Sequence, residues 1–455
     1  MKTKILRLLL VLLSIYPYTT LRAQIDTDIS SRYIGVRGMR YQPANIADTP
    51  FQWDINAGGA NIATLSDQFL PDFDFIGNLK SGGIDNIQDA FVVGRSGAIL
   101  TGNIYLPSVS YSINDHSAVY LVNEFRSYGI YDITDADLYN IVRGDFEGVQ
   151  ETIANGDAFS GYLNIWLEIG AGYAHSFTLG NGDRLKLGGK IKLLSGTASA
   201  FFDIDNISLN TTEDGEVANV EAVLSLGLDG NINKIFEDES IDLLNSAGVG
   251  FDLGAVYEYY PEDDAENYRW RIGLTVNDLG RVNYSDSEQL ESIKVSRDTL
   301  NTRPFRDAES IGDFSDALTD NFGVEPEANS KYNIRLPTTV SLQFDYYFGK
   351  NWYLHFNPAV TFPDFDLLVQ NINEVYSFDI TPRYETLRWG VYMPFNINTY
   401  SERLDAGIGA RWRFISVGSN SLISNLFNPD SPYSNLFFNV RIPLYKERYK
   451  RNRDQ

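Results

Sequence analysis

A two-residue rhythm recurs through most of this chain. Leu185, Leu187, Gly189, Ile191 and Leu193 alternate with Lys186, Gly188, Lys190 and Lys192. Leu404, Ala406, Ile408, Ala410, Trp412 and Phe414 alternate with Asp405, Gly407, Gly409, Arg411 and Arg413. A strand sends successive side chains to opposite faces, so each run has one apolar wall and one polar or charged wall. A soluble sandwich buries the apolar wall. A membrane barrel turns it toward lipid and keeps charges and glycines inside. Length helps to choose between them. The runs extend over about 9 to 15 residues, whereas soluble strands cluster near 5 or 6 and a tilted membrane strand needs about 9 to 11. Aromatics also gather at run ends, as at Tyr257, Tyr259 and Tyr260, at Tyr346, Tyr347 and Phe348, and at Trp412 and Phe414. Membrane barrels carry such girdles at both interfaces.

The start of the chain points the same way. Lys2, Lys4 and Arg7 precede the apolar run Leu8–Leu13, and Ala23 supplies a small residue before Gln24. Residues 1–23 therefore read as a cleaved export signal, too short to span comfortably as an anchor. The sequence contains no Cys, which removes a lipid anchor on Cys, disulfides and thiolate metal sites. After cleavage, 33 basic residues stand against 60 acidic ones, a balance that argues against nucleic acid as a partner. The expected location is an outer membrane, with lipid as the immediate partner. The expected fold class is all-β, an antiparallel transmembrane β-barrel of about 14 strands with an N-terminal plug segment. The expected boundaries are a plug over 24–50, a barrel over 51–445 and a basic tail over 446–455. A long acidic loop is expected over 285–331, with helix-like stretches at 286–295 and 307–318.

Several segments resemble Bacteroidota outer-membrane barrels of undefined function, related to FadL-type hydrophobic-compound channels and PorV-type secretion barrels. Arg37–Asp48, including Gln42-Pro43-Ala44-Asn45, resembles their N-terminal region, with Gln42 where that family usually has Asn. Gly250–Tyr259, Leu274–Gly280, Leu336–Thr339 and Asn439–Tyr445 resemble later strands in the same order. The resemblance implies a barrel with a hatch at Gln42, Pro43, Ala44 and Asn45, and it implies no single substrate. Physics adds its own reason for a plug. A barrel this wide cannot fill its lumen with wall side chains, and irregular backbone is tolerated at membrane depth when protein encloses it.

Inward positions collect charge. Lys186, Lys190, Lys192, Arg269, Arg271, Arg411 and Arg413 face Glu168, Asp252, Glu258, Asp345 and Asp405 in the expected lumen. Buried charges need partners, so the plain expectation is a paired network holding wall and plug together. The sharper one is a basic site for a carboxylate or another anion. Catalysis is not expected. The three His (116, 175, 355) sit in no metalloprotease pattern, and neither a nucleophile elbow nor a phosphate loop occurs. No cofactor or metal is expected. Two functions remain: a channel for hydrophobic or amphipathic small molecules, and a non-transporting accessory barrel that binds a periplasmic or outer-membrane protein in secretion or envelope assembly.

Overall fold

Closure of one antiparallel sheet on itself organises the molecule. The computed structural model describes residues 26–66, 97–133, 151–153, 157–180, 182–211, 217–229, 231, 246–262, 267–298, 304, 311–324, 327–362, 375–398, 403–427 and 433–450. The expected export signal and the last five residues of the basic tail lie outside them. The first strands are β1 (Phe51–Ser66), β2 (Gly97–Tyr105), β3 (Ser108–Ser112), β4 (Ser117–Ile133), β5 (Glu151–Ile153), β6 (Asp157–Thr178) and β7 (Arg184–Thr211). Next come β8 (Val217–Asp229), β9 (Ser246–Tyr259), β10 (Trp270–Arg297), β11 (Glu327–Arg335), β12 (Thr338–Gly349), β13 (Trp352–Phe362) and β14 (Val375–Glu385). The last are β15 (Trp389–Tyr392), β16 (Phe395–Asn398), β17 (Arg403–Ala406), β18 (Ile408–Trp412), β19 (Ile415–Ser419) and β20 (Tyr433–Tyr445). The helices are α1 (Ile311–Phe322), α2 (Leu422–Phe427) and α3 (Glu447–Lys450).

All twenty strand segments share one sheet, and β20 pairs with β1 from Phe51↔Tyr445 to Leu65↔Tyr433, which closes the ring. Several segments are halves of one stave. Both β2 and β3 pair with β1 and β4, and both β8 and β9 lie between β7 and β10. Proline explains some breaks, because it cannot donate to the ladder. Pro107 separates β2 from β3, Pro337 separates β11 from β12, and Pro394 separates β15 from β16.

Exposure confirms a membrane barrel. On β7, Ile191 is 58% and Leu193 62% exposed, whereas Lys190 and Lys192 between and beside them are buried. Leu253 is exposed beside buried Asp252, and Leu404 beside buried Asp405. Apolar outside and charged inside inverts the soluble pattern and suits a lipid solvent. The two ends differ. Short turns join β6 to β7, β12 to β13, β14 to β15 and β18 to β19, while β1, β4, β10 and β13 end at the opposite rim. The short-turn rim carries an outward belt of Trp53, Phe177, Tyr259, Phe348, Trp352, Trp389, Trp412 and Phe414. Tyr384 stacks on Trp389 there at 5.0 Å.

The acidic insertion differs from expectation. Residues 285–297 continue β10, and 327–331 begin β11; helix α1 lies between them. Leu290 and Ile293 suggest a helix because they are three apart. In the structure, a ladder irregularity lies between them, and both pack with Leu224 and Leu226 of β8 on one side. Long-range pairing with β8 overrode the local spacing.

Candidate functional site: a charge-locked lumen segment and a gap in the wall

Residues 26–50 precede the first strand and contain two short 3-10 turns, Gly35–Arg40 and Pro43–Ile46. Pro43 suits the first helical position, and Gln42 caps the second turn by accepting from the Ala44 amide at 3.3 Å. Gln42, Pro43 and Ala44 are buried, and Asn45 is half-buried. The wall makes room for them with glycine. A Cβ at Gly188 would stand 2.6 Å from the Pro43 carbonyl, and one at Gly254 would stand 2.0 Å from Gln42 Oε1.

The partners of this segment come from every side of the ring. The Val36 amide donates to Asp54 on β1 (2.6 Å), Arg40 to Glu124 on β4 (3.2 Å), and Asn277 on β10 to the Tyr41 carbonyl (3.2 Å). Ser31 donates to Glu385 on β14 (2.7 Å), and Tyr392 on β15 to Ser31 (3.1 Å). A segment that touches strands all around a ring lies inside it.

Two charge networks tie it to the wall, and a third has its ion pairs within the segment. In the first, Asp48 pairs with Lys186 (2.6 Å) and Arg184 (2.8 Å), and Lys186 also pairs with Glu258 (2.7 Å). Deeper in, Lys190 meets Glu168 (2.9 Å) and Asp252 (2.7 Å). Lys192 meets Asp252 (2.8 Å) and Asp278, and Arg126 meets Glu168 (2.9 Å) and Asp278 (2.6 Å). Three cations thus face three carboxylates. In the second network, Arg383 bridges Asp345 (2.6 Å) and Glu385 (3.1 Å), and Arg271 reaches Asp345 (3.4 Å) and the Ser30 carbonyl (2.9 Å). Arg411 donates to Tyr392 (3.3 Å) and the Thr386 carbonyl (2.7 Å). In the third, Arg37 pairs with Asp28 (2.6 Å) and Asp26, and Asp26 also accepts from Tyr105 (2.9 Å).

Of the residues singled out in the sequence, Lys186, Lys190, Lys192, Glu168 and Asp252 come together in the first network. Arg271, Asp345 and Arg411 join the second, and Asp405 is buried on β17 opposite Asn396. Two placements need correction. Arg269 precedes β10, is half-buried and donates to the Tyr347 carbonyl at 3.5 Å. Arg413 occupies the turn after β18 with φ 47°, so alternation stops before it and it stands outside the lumen. Sequence reasoning missed Arg126, Asp278, Arg383, Glu385 and the acids of residues 26–50. Asp278 carried a signal in the Asn277-Asp278-Leu279-Gly280 turn. Its φ of 62° marks a bulge between Val276 and Leu279 that swings its carboxylate inward.

Beyond the charged layer, toward the far end, the interior is aromatic and aliphatic. Tyr128, Trp166, Phe201, Tyr284, Tyr332 and Tyr433 belong to one buried cluster. Beside it, among the described residues, the wall is incomplete. The β19–β20 ladder ends at Gly418↔Phe437, and β17 pairs with β16 alone. Among the described residues no strand lies between β17 and the first residues of β20. Helix α2 lies there instead, with Leu426 69% and Phe427 87% exposed. Side chains replace the missing ladder. The Ala406 amide donates to Ser424 Oγ (2.7 Å), the Asn435 amide to Ser421 Oγ (3.0 Å), and the Asn420 amide to Asn435 Oδ1 (3.1 Å). Without them these amides would be unpaired beside hydrocarbon, at several kcal/mol each.

The fold is similar in chain path to three solved barrels. One is the Ralstonia pickettii toluene transporter TbuX, at 9% identity over 91% of this chain and 95% of that one, TM-score 0.45. Another is the P. putida toluene transporter TodX, at 9% identity over 91% and 95%, TM-score 0.42. A third is a Pseudomonas aeruginosa FadL homologue, at 11% identity over 93% and 99%, TM-score 0.40. No curated protein matches the sequence. A family model does match over residues 43–419, from the second turn of the lumen segment to the end of β19, and on that match the chain belongs to the family of unknown function DUF5723.

Proposed function

We propose that this barrel resides in an outer membrane and passes a hydrophobic or amphipathic small molecule between its interior and the surrounding lipid, through the gap between β17 and β20. The observation that carries this reading is the position of Tyr433. It belongs to the buried aromatic cluster and opens β20 at the edge of the gap. An apolar ligand leaving that cluster sideways meets α2 and then lipid, with no water to cross. The axial route is obstructed by residues 26–50 and their ion pairs, which favours the lateral one. The plug in this reading is a hatch, and the paired charges are its anchors.

The chain lacks Cys, so a single engineered pair is unambiguous. Ala406→Cys with Ser424→Cys, oxidised, ties α2 to β17. In lipid vesicles holding the full chain, labelled palmitate transfer should fall on oxidation and recover on reduction. Transfer that ignores the crosslink would overturn the lateral route. The accessory-barrel reading draws on the locked plug. Absent transfer in the untied protein, with a stoichiometric protein partner in a native pull-down, would replace the channel with that reading.

A further inference from the structure

The molecule has a second distinctive place, outside the lumen. At the short-turn rim a crevice of about 380 Å³ opens where the ends of β1 and β20 meet two turns, Thr386–Arg388 and Arg413-Phe414. Trp53, Phe414 and Leu444 line it with their outward faces, each more than two-fifths exposed. Arg388, Arg413 and Lys446 line it with cations.

The crevice is held by backbone bonds. The Arg413 amide donates to the Arg388 carbonyl (2.7 Å), which ties the two turns together. The Arg441 amide donates to the Phe414 carbonyl (2.7 Å), and the Lys446 amide to the Pro50 carbonyl (3.0 Å). Arg413 holds a left-handed φ of 47°, a conformation Gly or Asn would adopt more easily. Charge sets the place apart. The inward cations of the lumen meet carboxylates or carbonyls, whereas Arg388 and Arg413, half-buried, have no ion-pair partner among the described residues. Lys446 has Asp115 at 3.5 Å, and Glu447 is the one acid in the lining.

Its depth identifies the occupant. The crevice lies within the aromatic belt of Trp53, Trp389, Trp412 and Phe414, and such belts sit at headgroup level. An apolar wall beside two arginines on turns tied by their backbones, at that depth, fits an anion with a hydrocarbon tail. We propose that this crevice binds the phosphate of an anionic phospholipid, with Arg388 and Arg413 on the phosphate and an acyl chain along Trp53, Phe414 and Leu444. Arg recognises phosphate through a planar fork of donors, which Lys lacks.

The test is native mass spectrometry of the full chain titrated with phosphatidylglycerol, with phosphatidylcholine as the comparison. The variants are Arg388→Gln and Arg413→Gly. The second suits the left-handed backbone at 413, so folding is not at stake. Each cation near a headgroup is worth about a factor of five, so the double variant should bind phosphatidylglycerol roughly 30-fold more weakly. Arg→Lys at both positions should fall between. Unchanged phosphatidylglycerol binding in the double variant, or equal retention of phosphatidylcholine by the native chain, would overturn the proposal. Inorganic phosphate separates the two sources of the anion. Failure of millimolar phosphate to displace the lipid supports a lipid site, and full displacement would reduce the crevice to an inorganic anion site and refute the lipid assignment.

Discussion

Glu168→Gln tests whether the lumen charges are a buried lock or the lining of a wet pore. Glu168 accepts from Arg126 and Lys190 at 2.9 Å each and lies 3.7 Å from Lys192. Its own side chain is fully buried, as are those of Lys192 and, to within a few per cent, Lys190 and Arg126. The native set balances three cations with Glu168, Asp252 and Asp278. The substitution keeps the shape and leaves one positive charge uncompensated. Breaking one buried pair costs about 3–5 kcal/mol, whereas the same pair in water contributes about 1 kcal/mol or less. Urea unfolding of the full chain in lipid vesicles, followed by tryptophan fluorescence and the gel shift of the folded barrel, reads the difference. The expected loss is at least about 3 kcal/mol, and pairing the change with Lys190→Met should recover much of it by restoring neutrality. A loss below about 1 kcal/mol would mean that water reaches the network, and the lock would be the wrong description of it.

Other outcomes follow from the same geometry. Gly188→Val brings a side chain against the Pro43 carbonyl, so hydrogen exchange at 44–47 should quicken while the barrel stays folded; unchanged protection there would show that the segment does not rest on this strand. For Asp48, burial alone would raise the carboxyl, but the Lys186 and Arg184 charges hold it well below the usual carboxylate range. Its stabilisation is therefore complete above the unfolded value of about 4 and fades only in stronger acid, so Asp48→Asn should lower the urea midpoint by the same amount at every pH from neutral down to about 4. A deficit that vanishes between neutral pH and that value would contradict the pairing. Ser424→Ala removes the acceptor of the Ala406 amide at a cost of about 1–3 kcal/mol, and should raise hydrogen exchange at Ala406 and speed palmitate transfer; slower transfer would argue against α2 as the closure of the gap.

The barrel was legible because its pattern is local. Lys186 to Leu193 states the inside and the outside of β7 residue by residue, and lipid solvent gives that alternation its meaning. The networks were half legible for the same reason. Parity put Lys190 and Asp252 on the inner face, but the pairing of Arg126 with Asp278 joins residues 152 apart and depends on a bulge that parity cannot foresee. Asp286–Val295 was misread because one ladder irregularity gives a strand a three-residue spacing. Arg413 was misread because alternation carried past the end of β18 into a turn. The wall gap had no sequence signal at all. It consists of a strand, β19, that stops at Ser419 where its neighbour β20 continues, and only the pairing of neighbours reveals it.

The two closures are held by different kinds of bond. Withdrawing residues 26–50 would break the pairs of Asp48 and Arg40 and the bonds of Ser31 and Arg32 to Glu385. At about 3–5 kcal/mol for each buried pair broken, the two pairs come to about 6–10 kcal/mol, comparable to the stability of a whole domain. The gap is held by neutral bonds. Ala406–Ser424, Asn435–Ser421 and Asn420–Asn435 are side-chain to backbone contacts, and parting them leaves amides unpaired beside hydrocarbon at several kcal/mol each. On the proposed lateral route, a ligand that brings its own acceptor to those amides lowers that cost, and a bare hydrocarbon does not.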